Sequence, residues 1–273
     1  MIVRAPATSA NLGAGFDCAG VALELWNELE LTDDEEVVVE VEGEGAGELP
    51  EDGSNLAVRA YALLASPARK RFRFVNRIPL ERGLGSSTAA IAVGLRAAAP
   101  DAPAEELLAA GLTLESHPDN LAAALVGGVT LTWEGSIARV APDLPFAPVA
   151  LVPSERVRTA ASRDSLPAEV PHRDAAFTLA RAALLGAGAA TGRADWFRAA
   201  LDDRLHEPYR GSDLLDEVRR DLPRGAVGAT LSGSGPTVVV WAEDARACTS
   251  ALAERYPKHQ VLALAVSPVG AHA

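Results

Sequence analysis

The sequence predicts a fold that mixes helices and strands, of the α+β or α/β class, in two units. Both halves of the chain alternate period-two or β-branched segments with Ala-rich helical segments, and a proline-bounded stretch at 142–148 interrupts this pattern. A chain of 273 residues that is 48% hydrophobic can bury a substantial core. We therefore expect one domain over residues 1–145 and a second over residues 146–273.

Strands in the first domain are predicted from alternation. Leu23, Leu25, Leu29 and Leu31 all fall on odd positions, so they share one face of a strand. A polar, Gly-rich stretch at 8–17 predicts a loop between the first two strands. The strands predicted for this domain are 2–5, 21–31, 37–42, 71–76 and 129–133.

Helices are predicted from apolar spacing and end signals. Ser54 is the expected N-cap of a helix whose apolar residues begin at Leu56, and Gly127 with Gly128 is the expected stop of the last helix in this domain. Further helices are expected at 86–98, 103–115 and 119–126. The second domain is expected to contain a helix at 174–187, a strand leading into 232–236, and strands at 148–152, 238–241 and 260–266.

Composition and charge exclude several classes of function. The net charge of -12 repels polyanions, and no basic run exceeds Arg69-Lys70-Arg71, so neither nucleic acid nor an anionic membrane is an expected partner. No segment has the roughly 20 apolar residues that span a bilayer, and residues 1–10 lack the layout of a signal peptide, so we expect a cytoplasmic protein. Cys18 and Cys248 lie outside any paired metal-ligand spacing and are expected to be free thiols.

The segment 78–90 has the composition of an anion-binding turn. Gly83 and Gly85 precede two serines between a predicted strand and a predicted helix. Glycine lets the backbone approach a bound charge, and the N–H groups and positive dipole end of the helix attract an anion. A Walker A loop would need a lysine here, and a dinucleotide fingerprint would need glycine at Thr88. For these residues alone, an ordinary turn before an Ala-rich helix is the alternative interpretation.

Three ordered segments resemble the motifs of the GHMP kinases, the superfamily of galacto-, homoserine, mevalonate and phosphomevalonate kinases. They are PATSANLGAGFD at 6–17, GLGSSTA at 83–89 and SGSGPT at 232–237. Within that superfamily the chain most resembles the homoserine kinases. The selective features are the first motif, HPDN at 117–120, R-x-x-L-P at 163–167 and D-x-L-H-x-P-Y-R at 203–210. The resemblance covers nearly the whole chain.

This resemblance implies a specific α+β architecture, the GHMP kinase fold. Its N-terminal domain resembles ribosomal protein S5 domain 2, with a left-handed βαβ crossover, its C-terminal domain is ferredoxin-like, and the active site lies between them. The chain departs from the family pattern at Ala14, Cys18 and Glu81. Glu81 adds negative charge to the phosphate loop, which would weaken nucleotide binding unless its side chain turns away, for instance toward Arg82.

The resemblance also implies ATP as phosphoryl donor and Mg²⁺ as cofactor. Ser87 matches the family's Mg²⁺-ligating hydroxyl, and Glu115 is its acidic partner by analogy. The alternative for Glu115 is a solvated carboxylate at a helix end. Asn55 resembles an asparagine of the adenine pocket, with an N-cap role as the alternative. The expected ATP-binding residues are Asn55, Pro79, Leu80, Glu81, Arg82, Gly83, Leu84, Gly85, Ser86, Ser87, Thr88 and Ala89.

The implied acceptor is L-homoserine, a zwitterion that needs a carboxylate for its ammonium group and arginines for its carboxylate. Asp17 fits the first need, and Arg163 and Arg210 fit the second. Thr159 is a supporting hydroxyl, four residues before Arg163. The expected substrate-binding residues are Asn11, Asp17, His117, Thr159, Arg163 and Arg210.

Asp119 and Asn120 lie where the acceptor hydroxyl is expected, and they are the candidate catalytic residues. Asp119 would orient the hydroxyl or take its proton, and an N-cap role is the alternative. His206 is expected to pack beside Arg210 without a catalytic role. Segment 232–235 lacks the glycine that a hydrolase nucleophile elbow has at position 232, and it is expected to close the site.

Two other functions stay open at this point. A sibling kinase would use the same ATP loop on another alcohol, such as mevalonate or diphosphocytidyl-methylerythritol, and the arginines at 163 and 210 favour an amino acid instead. A non-catalytic ligand-binding regulator would have the same fold, and the presence of Ser87, Glu115 and Asp119 favours an enzyme. ATP and L-homoserine are the expected partners, and a homodimer is the assembly considered.

Overall fold

A long central strand organises the first sheet. The structure is a computed structural model that describes residues 1–156 and 164–273. The 15-residue β2 (Ala19–Asp33) pairs with β1 (Ile2–Ala10) along one edge. Along its other edge it pairs with β4 (Lys70–Asn76) near its C-terminal end and with β5 (Val129–Trp133) near its N-terminal end. β6 (Ser136–Ala141) extends the sheet beyond β5.

A crossover adds the last strand to this sheet. β3 (Val38–Gly43) runs parallel to β4, and α1 (Leu56–Ala62) lies between them in sequence. A parallel pair needs such a crossover because a tight turn cannot join two parallel strands. The remaining helices of this half are α2 (Ser86–Ala98), α3 (Ala104–Gly111) and α4 (Pro118–Val126).

The helices and the first sheet share one buried core. Leu23 and Leu29 of β2 and Phe72 of β4 belong to the same cluster as Ile91 and Leu95 of α2, and none of these side chains is more than 1% exposed. Full burial of a side chain of this size contributes roughly 1.5–3 kcal/mol. This core therefore fixes α2, whose first turn is part of the site described below.

The second sheet has the strand order of a ferredoxin-like domain. Its strands are β7 (Ala147–Val152), β8 (Ala226–Leu231), β9 (Val238–Ala242) and β10 (Gln260–Ala263). They lie in the order β10-β7-β9-β8, and every neighbouring pair is antiparallel. The helices of this half are α5 (His172–Thr191), α6 (Ala194–Ala199), α7 (Glu207–Arg210), α8 (Asp213–Arg220) and α9 (Ala245–Arg255).

The last residues of the chain return to the first sheet. Val266 forms an isolated bridge with Leu23, and His272 forms another with Arg4. The backbone N–H of Gly128 also donates to the carbonyl of Ser267 at 2.6 Å. The two sheets are thus tied by the chain end as well as by the segment between β6 and β7. The predicted boundary near residue 145 falls within that segment and stays a prediction.

Two local predictions were wrong, and one strand was missed. β1 continues through Thr8, Ser9 and Ala10, predicted as loop, because these residues pair with 20–22 of β2. β6 was not predicted, since its residues are mostly half-buried and show no clear alternation. The N-cap of α1 is Asn55, whose side-chain oxygen accepts from the N–H of Ala57 at 3.0 Å, while Ser54 donates to Asp52 instead.

Among the described helices, none is long and apolar enough to cross a membrane.

Candidate active site

A cavity of about 480 Å³ collects most of the predicted site residues. Its wall includes the end of β1, the Gly-rich loop before α2, the first turn of α4, the end of α7 and the loop after β8. The predicted residues that line it are Asn11, Asp17, Asn55, Leu80, Glu81, Arg82, Gly83, Gly85, Ser86, Ser87, Thr88, Glu115, His117, Asp119, Asn120 and Arg210.

Gly83 and Gly85 lie too close to neighbouring segments for either position to carry a side chain. Gly83 and Gly85 have φ values of 79° and 69°, in the left-handed region. A β-carbon on Gly85 would lie 2.0 Å from Oγ1 of Thr8, and one on Gly83 would lie 2.4 Å from the carbonyl oxygen of Ser232. Gly85 is the N-cap of α2 and offers no side-chain cap, so the first turn of the helix keeps N–H groups free for an anion.

Three predicted ATP residues belong to this loop without lining the cavity. Leu84 and Ala89 are fully buried in the core, and Pro79 is also buried. These three residues are buried and support the loop without forming the cavity wall. The loop is further held by Asn27, whose side-chain oxygen accepts from the N–H groups of Arg77 at 2.8 Å and Ile78 at 3.0 Å.

The two charged residues of the loop, Glu81 and Arg82, both line the cavity. Glu81 is exposed and has a φ of 53°. Arg82 donates to the carbonyl oxygens of Pro153 at 2.8 Å and Ser154 at 2.5 Å. Arg82 therefore ties the loop to the segment after β7.

Asn55 caps a helix and also lines the cavity. Its side-chain oxygen caps α1, and its amide nitrogen donates to the carbonyl of Pro50 at 2.9 Å. The same residue lines the cavity. The N-cap bond fixes the side chain, so an adenine contact stays a proposal.

Glu115 is mostly buried rather than a solvated helix-end carboxylate. Its side chain is 19% exposed, and Oε1 lies 2.6 Å from Nδ1 of His117. Burial raises the pKa of Glu115, but hydrogen bonds and charge from His117, with the N–H groups of Ser116 and His117, outweigh it and lower the pKa below its ordinary value. The carboxylate is therefore ionised at neutral pH and able to bind a cation.

Asp119 is the most perturbed acid in the cavity. It is 2% exposed, and burial raises its pKa to about 6, with a further contribution from the charge of Asp17. The N-cap of α4 is His117 with Pro118 following, so Asp119 lies inside the first turn and is not the cap. Its Oδ1 accepts from the N–H of Asn120 at 2.8 Å. A buried, ionisable carboxylate in a cleft is a candidate for proton transfer.

The loop after β1 holds Asp17 in an uncommon conformation. Asn11, Leu12 and Asp17 have φ values of 72°, 49° and 55°. Such values cost energy in residues other than glycine and are found where a site fixes the backbone. The side-chain oxygen of Asn11 accepts from the N–H of Asp17 at 3.0 Å, and its amide donates to the carbonyl of Gly233 at 3.1 Å. Asn11 thus links the Asp17 loop to the second domain.

Arg210 reaches the same cavity from the second domain. Its guanidinium donates to the carbonyl of Gly233 and lies 5.7 Å from the ring centre of Phe16. Asp17 and Arg210 thus line one cavity with charges of opposite sign. The other two predicted substrate residues, Thr159 and Arg163, lie outside the described residues.

Two residues with contacts at the candidate site were missed in the sequence. Thr8 donates from Oγ1 to Oδ1 of Asn120 at 2.7 Å, and its N–H donates to the carbonyl of Leu84 at 3.1 Å, so it joins the phosphate loop to α4. Asn27 lines the cavity and orders the start of that loop. The signal for Asn27 was present, because it is a polar residue on the apolar odd-numbered face of β2.

Comparisons with known proteins identify the family of this chain. The family model for the GHMP kinases N terminal domain matches residues 55–128, which contain the phosphate loop and α4. A homoserine kinase of Streptomyces avermitilis is 41% identical over 264 residues, which cover 90% of this chain and 86% of the relative. One of Trichormus variabilis is 36% identical over 271 residues, covering 92% and 89%.

The chain belongs to the homoserine kinase family. The crystal structure of homoserine kinase from Cytophaga hutchinsonii superposes with a TM-score of 0.86 at 24% identity and covers 99% of this chain and 96% of that one. The mevalonate kinase of Methanococcus jannaschii superposes with a TM-score of 0.73 at 14% identity, covering 97% and 98%. The predicted α+β GHMP fold is therefore confirmed.

Proposed function

We propose that the chain transfers the γ-phosphoryl group of ATP to the side-chain hydroxyl of L-homoserine, giving ADP and O-phospho-L-homoserine, a step of threonine biosynthesis. The observation that carries the proposal is the composition of the cavity. The start of α2, a buried carboxylate at Asp119, and charges of both signs at Asp17 and Arg210 line the same space. Family membership supports the same activity.

The ATP phosphates would lie against the N–H groups at the start of α2, which no N-cap side chain occupies. Ser87 and Glu115 are the hard oxygen donors for Mg²⁺, which, when bound, neutralises charge on the phosphate oxygens. Among the described residues, no cluster of three or more His, Cys, Asp or Glu side chains is arranged to hold a metal ion. This fits a Mg²⁺ that protein and phosphates share, since Mg²⁺ is usually held by one or two carboxylates together with substrate phosphates.

The acceptor would be held by its two charged ends. Asp17 pairs with the ammonium group, and Arg210 pairs with the carboxylate, for which the arginine fork offers two parallel donors. Arg163 and Thr159 are proposed for the same carboxylate. Asn11 and His117 line the cavity beside them.

Asp119 would orient the hydroxyl and accept its proton. With a pKa of about 6, the carboxylate is ionised at neutral pH and close enough to neutrality to take a proton as the new P–O bond forms and the bond to ADP breaks. Asn120, fixed by Thr8, lies beside it in the first turn of α4. Orientation contributes much of the rate in phosphoryl transfer, because the transition state requires little covalent help.

A coupled ATPase assay tests the proposal. We expect ADP release that depends on L-homoserine and Mg²⁺, with much lower kcat/KM for mevalonate and L-serine. A preference for mevalonate would leave a kinase but remove the homoserine assignment. No acceptor-dependent release with any alcohol would remove the kinase as well. A cytoplasmic location and a homodimer stay proposals.

A further inference from the structure

His206 lies between the two elements that carry Asp17 and Arg210, the charged residues proposed to bind the substrate. Its ring is fully buried, and Nε2 donates to the carbonyl oxygen of Gly13 at 2.9 Å. Gly13 belongs to the loop that carries Asp17, whereas His206 is the N-cap residue of α7, which ends at Arg210. One hydrogen bond therefore joins the loop that carries Asp17 to the helix that carries Arg210.

The ring of His206 is also part of a layered contact with Arg210. Phe16 stacks on His206 with 4.9 Å between ring centres and 17° between planes. The guanidinium carbon of Arg210 lies 5.7 Å from the centre of the Phe16 ring. Phe16 immediately precedes Asp17 in sequence, so this contact and the hydrogen bond to Gly13 hold the two ends of the same short loop.

Asp203 holds the backbone around His206 in place by hydrogen bonds. Its Oδ2 accepts from the N–H groups of His206 at 2.7 Å and Glu207 at 3.0 Å. Its Oδ1 accepts from the N–H of Leu205 at 3.0 Å and from Oγ1 of Thr178, on α5, at 3.2 Å. A buried carboxylate with this many donors is rigidly held, so the His206 ring has little freedom to follow a movement of the Gly13 loop.

The imidazole is neutral in this environment. Burial lowers the pKa of His206 below its ordinary value, and the charge of Arg210 lowers it further, against an opposing contribution from Asp203. A neutral imidazole has one N–H donor, and the carbonyl of Gly13 receives it. Among the described residues, Nδ1 has no hydrogen-bond partner. The ring also lies near the Asp203 carboxylate, with 3.6 Å between Nε2 and Oδ2. The bond to Gly13 is thus the hydrogen bond that the ring makes in this part of the structure.

We propose that His206 is a positioning residue that fixes where the Asp17 loop and the Arg210 helix hold the amino acid head group, and so restricts the acceptor to one side-chain length. This inference rests on the proposed function. The ammonium and carboxylate groups share one carbon, so the place where they are held decides how many methylene groups the hydroxyl needs to reach Asp119. If the hydrogen bond between Gly13 and His206 is lost, the head group shifts. Amino acids whose hydroxyl-bearing side chain is shorter or longer than that of homoserine then become better substrates.

The test is a series of three acceptors that differ by one methylene group: L-serine, L-homoserine and 5-hydroxy-L-norvaline. The variants are His206→Leu and His206→Gln, in the full chain with ATP and Mg²⁺. Glutamine places an amide nitrogen near the position of Nε2 and keeps the donor to Gly13, whereas leucine removes it. His259→Leu is the control, because that ring stacks on Tyr256, away from the cavity.

We expect the wild type to prefer homoserine by at least about 10-fold in kcat/KM over either neighbour, the size of effect that one methylene group has in a shaped pocket. His206→Leu should reduce that ratio to about 3-fold or less and raise the KM for homoserine more than it lowers kcat. His206→Gln should keep most of the ratio, and the control should keep all of it. A general loss of folding lowers all three rates together and leaves their ratios unchanged.

If His206→Leu does not fold, His206→Asn gives the same measurement, because its shorter amide cannot reach Gly13. A folded leucine or asparagine variant with the wild-type ratios would overturn the proposal, and so would a glutamine variant that loses selectivity as fully as leucine. A wild type that does not phosphorylate homoserine would instead contradict the proposed function, so the two failures are distinct.

Discussion

Gly20 on β2 faces the first turn of α4 so closely that a β-carbon there would lie 2.4 Å from the carbonyl oxygen of Asp119. The same β-carbon would lie 3.1 Å from the side chain of Ala123. The strand can carry no side chain at this point without displacing the helix. The position of Asp119 is therefore set by a backbone contact, in addition to its own hydrogen bonds.

We predict that Gly20→Ala lowers kcat at least about 10-fold, because a shift of the first turn of α4 moves Asp119 away from the acceptor. Overpacking should also lower the free energy of unfolding by roughly 1–3 kcal/mol. Gly188→Ala is the matched control, since its β-carbon would lie 2.8 Å from the backbone nitrogen of Phe197, away from the cavity. That variant should lose stability and keep kcat. Equal loss of kcat in both variants would show that crowding alone explains the effect.

Asp119→Asn should have opposite effects on rate and stability. The amide cannot take a proton, so kcat should fall while the affinity for ATP changes little. Burial of the ionised carboxylate is unfavourable, so the free energy of unfolding at pH 8 should rise by about 2 to 3 kcal/mol in the variant. Thermal or denaturant unfolding, compared with steady-state kinetics, checks both effects.

The pH dependence of that stability gain follows from the raised pKa of Asp119. The folded chain binds the proton more tightly than the unfolded chain, so the contribution of this group to stability is present below pH 3.8 and lost as the pH rises through about 6. The wild type and Asp119→Asn should thus be equally stable near pH 3.8 and differ most above pH 7. A gain that is independent of pH would show that desolvation of the carboxylate is not its cause.

An Asp119→Asn variant that changes only the KM for homoserine would show that Asp119 binds the acceptor without taking part in the chemistry.

Ser87→Ala and Glu115→Gln test the metal site. Each should lower turnover at least ~100-fold, on the order of 3 kcal/mol, if the two side chains hold Mg²⁺ against the phosphates. The matched controls are Ser250→Ala on α9 and Glu106→Gln on α3, which are exposed and do not line the cavity. Their turnover should stay within about 2-fold of the wild type, since surface substitutions of this kind have little effect. Near-normal turnover of Glu115→Gln at saturating Mg²⁺ would remove Glu115 from the metal site.

The sequence allowed prediction of most elements and of most residues that line the cavity, but not of how the motifs meet. Leu23 and Leu29 alternate along β2 as predicted, because burial on one face imposes a period of two. Thr8 was predicted as loop because local composition favours a turn, whereas pairing with β2 decides its conformation. The capping of α1 by Asn55 differs by one residue from the prediction, a distance that local signals do not resolve.

The relations between distant residues required the structure. No spacing in the chain indicates that Gly20 approaches Asp119, or that His206 reaches Gly13, because both contacts depend on how two elements pack. The raised pKa of Asp119 likewise follows from burial, which a motif does not report. By contrast, the resemblance to homoserine kinases predicted charged residues at 17 and 210, and the structure places both in one cavity. Their contact with a zwitterion stays a prediction.

The most direct test of the homoserine assignment compares three alcohols. The measurement is kcat/KM for L-homoserine, for 4-hydroxybutyrate, which lacks the ammonium group, and for 3-aminopropanol, which lacks the carboxylate. Wild type, Asp17→Asn, Arg163→Ala and Arg210→Lys are assayed together. Loss of one charge-assisted partner in a partly desolvated pocket costs about 2 to 5 kcal/mol, so both analogues should be at least ~30-fold poorer substrates for the wild type.

Each variant should lose selectivity only against the analogue that lacks the group contacted by the replaced residue. Asp17→Asn should narrow the gap between homoserine and 4-hydroxybutyrate, and the arginine variants should narrow the gap between homoserine and 3-aminopropanol. Arg210→Lys should be impaired because an ammonium cannot reproduce two parallel donors. If instead the wild type accepts all three alcohols equally, or the variants keep full selectivity for homoserine, recognition of the zwitterion by Asp17 and Arg210 is contradicted.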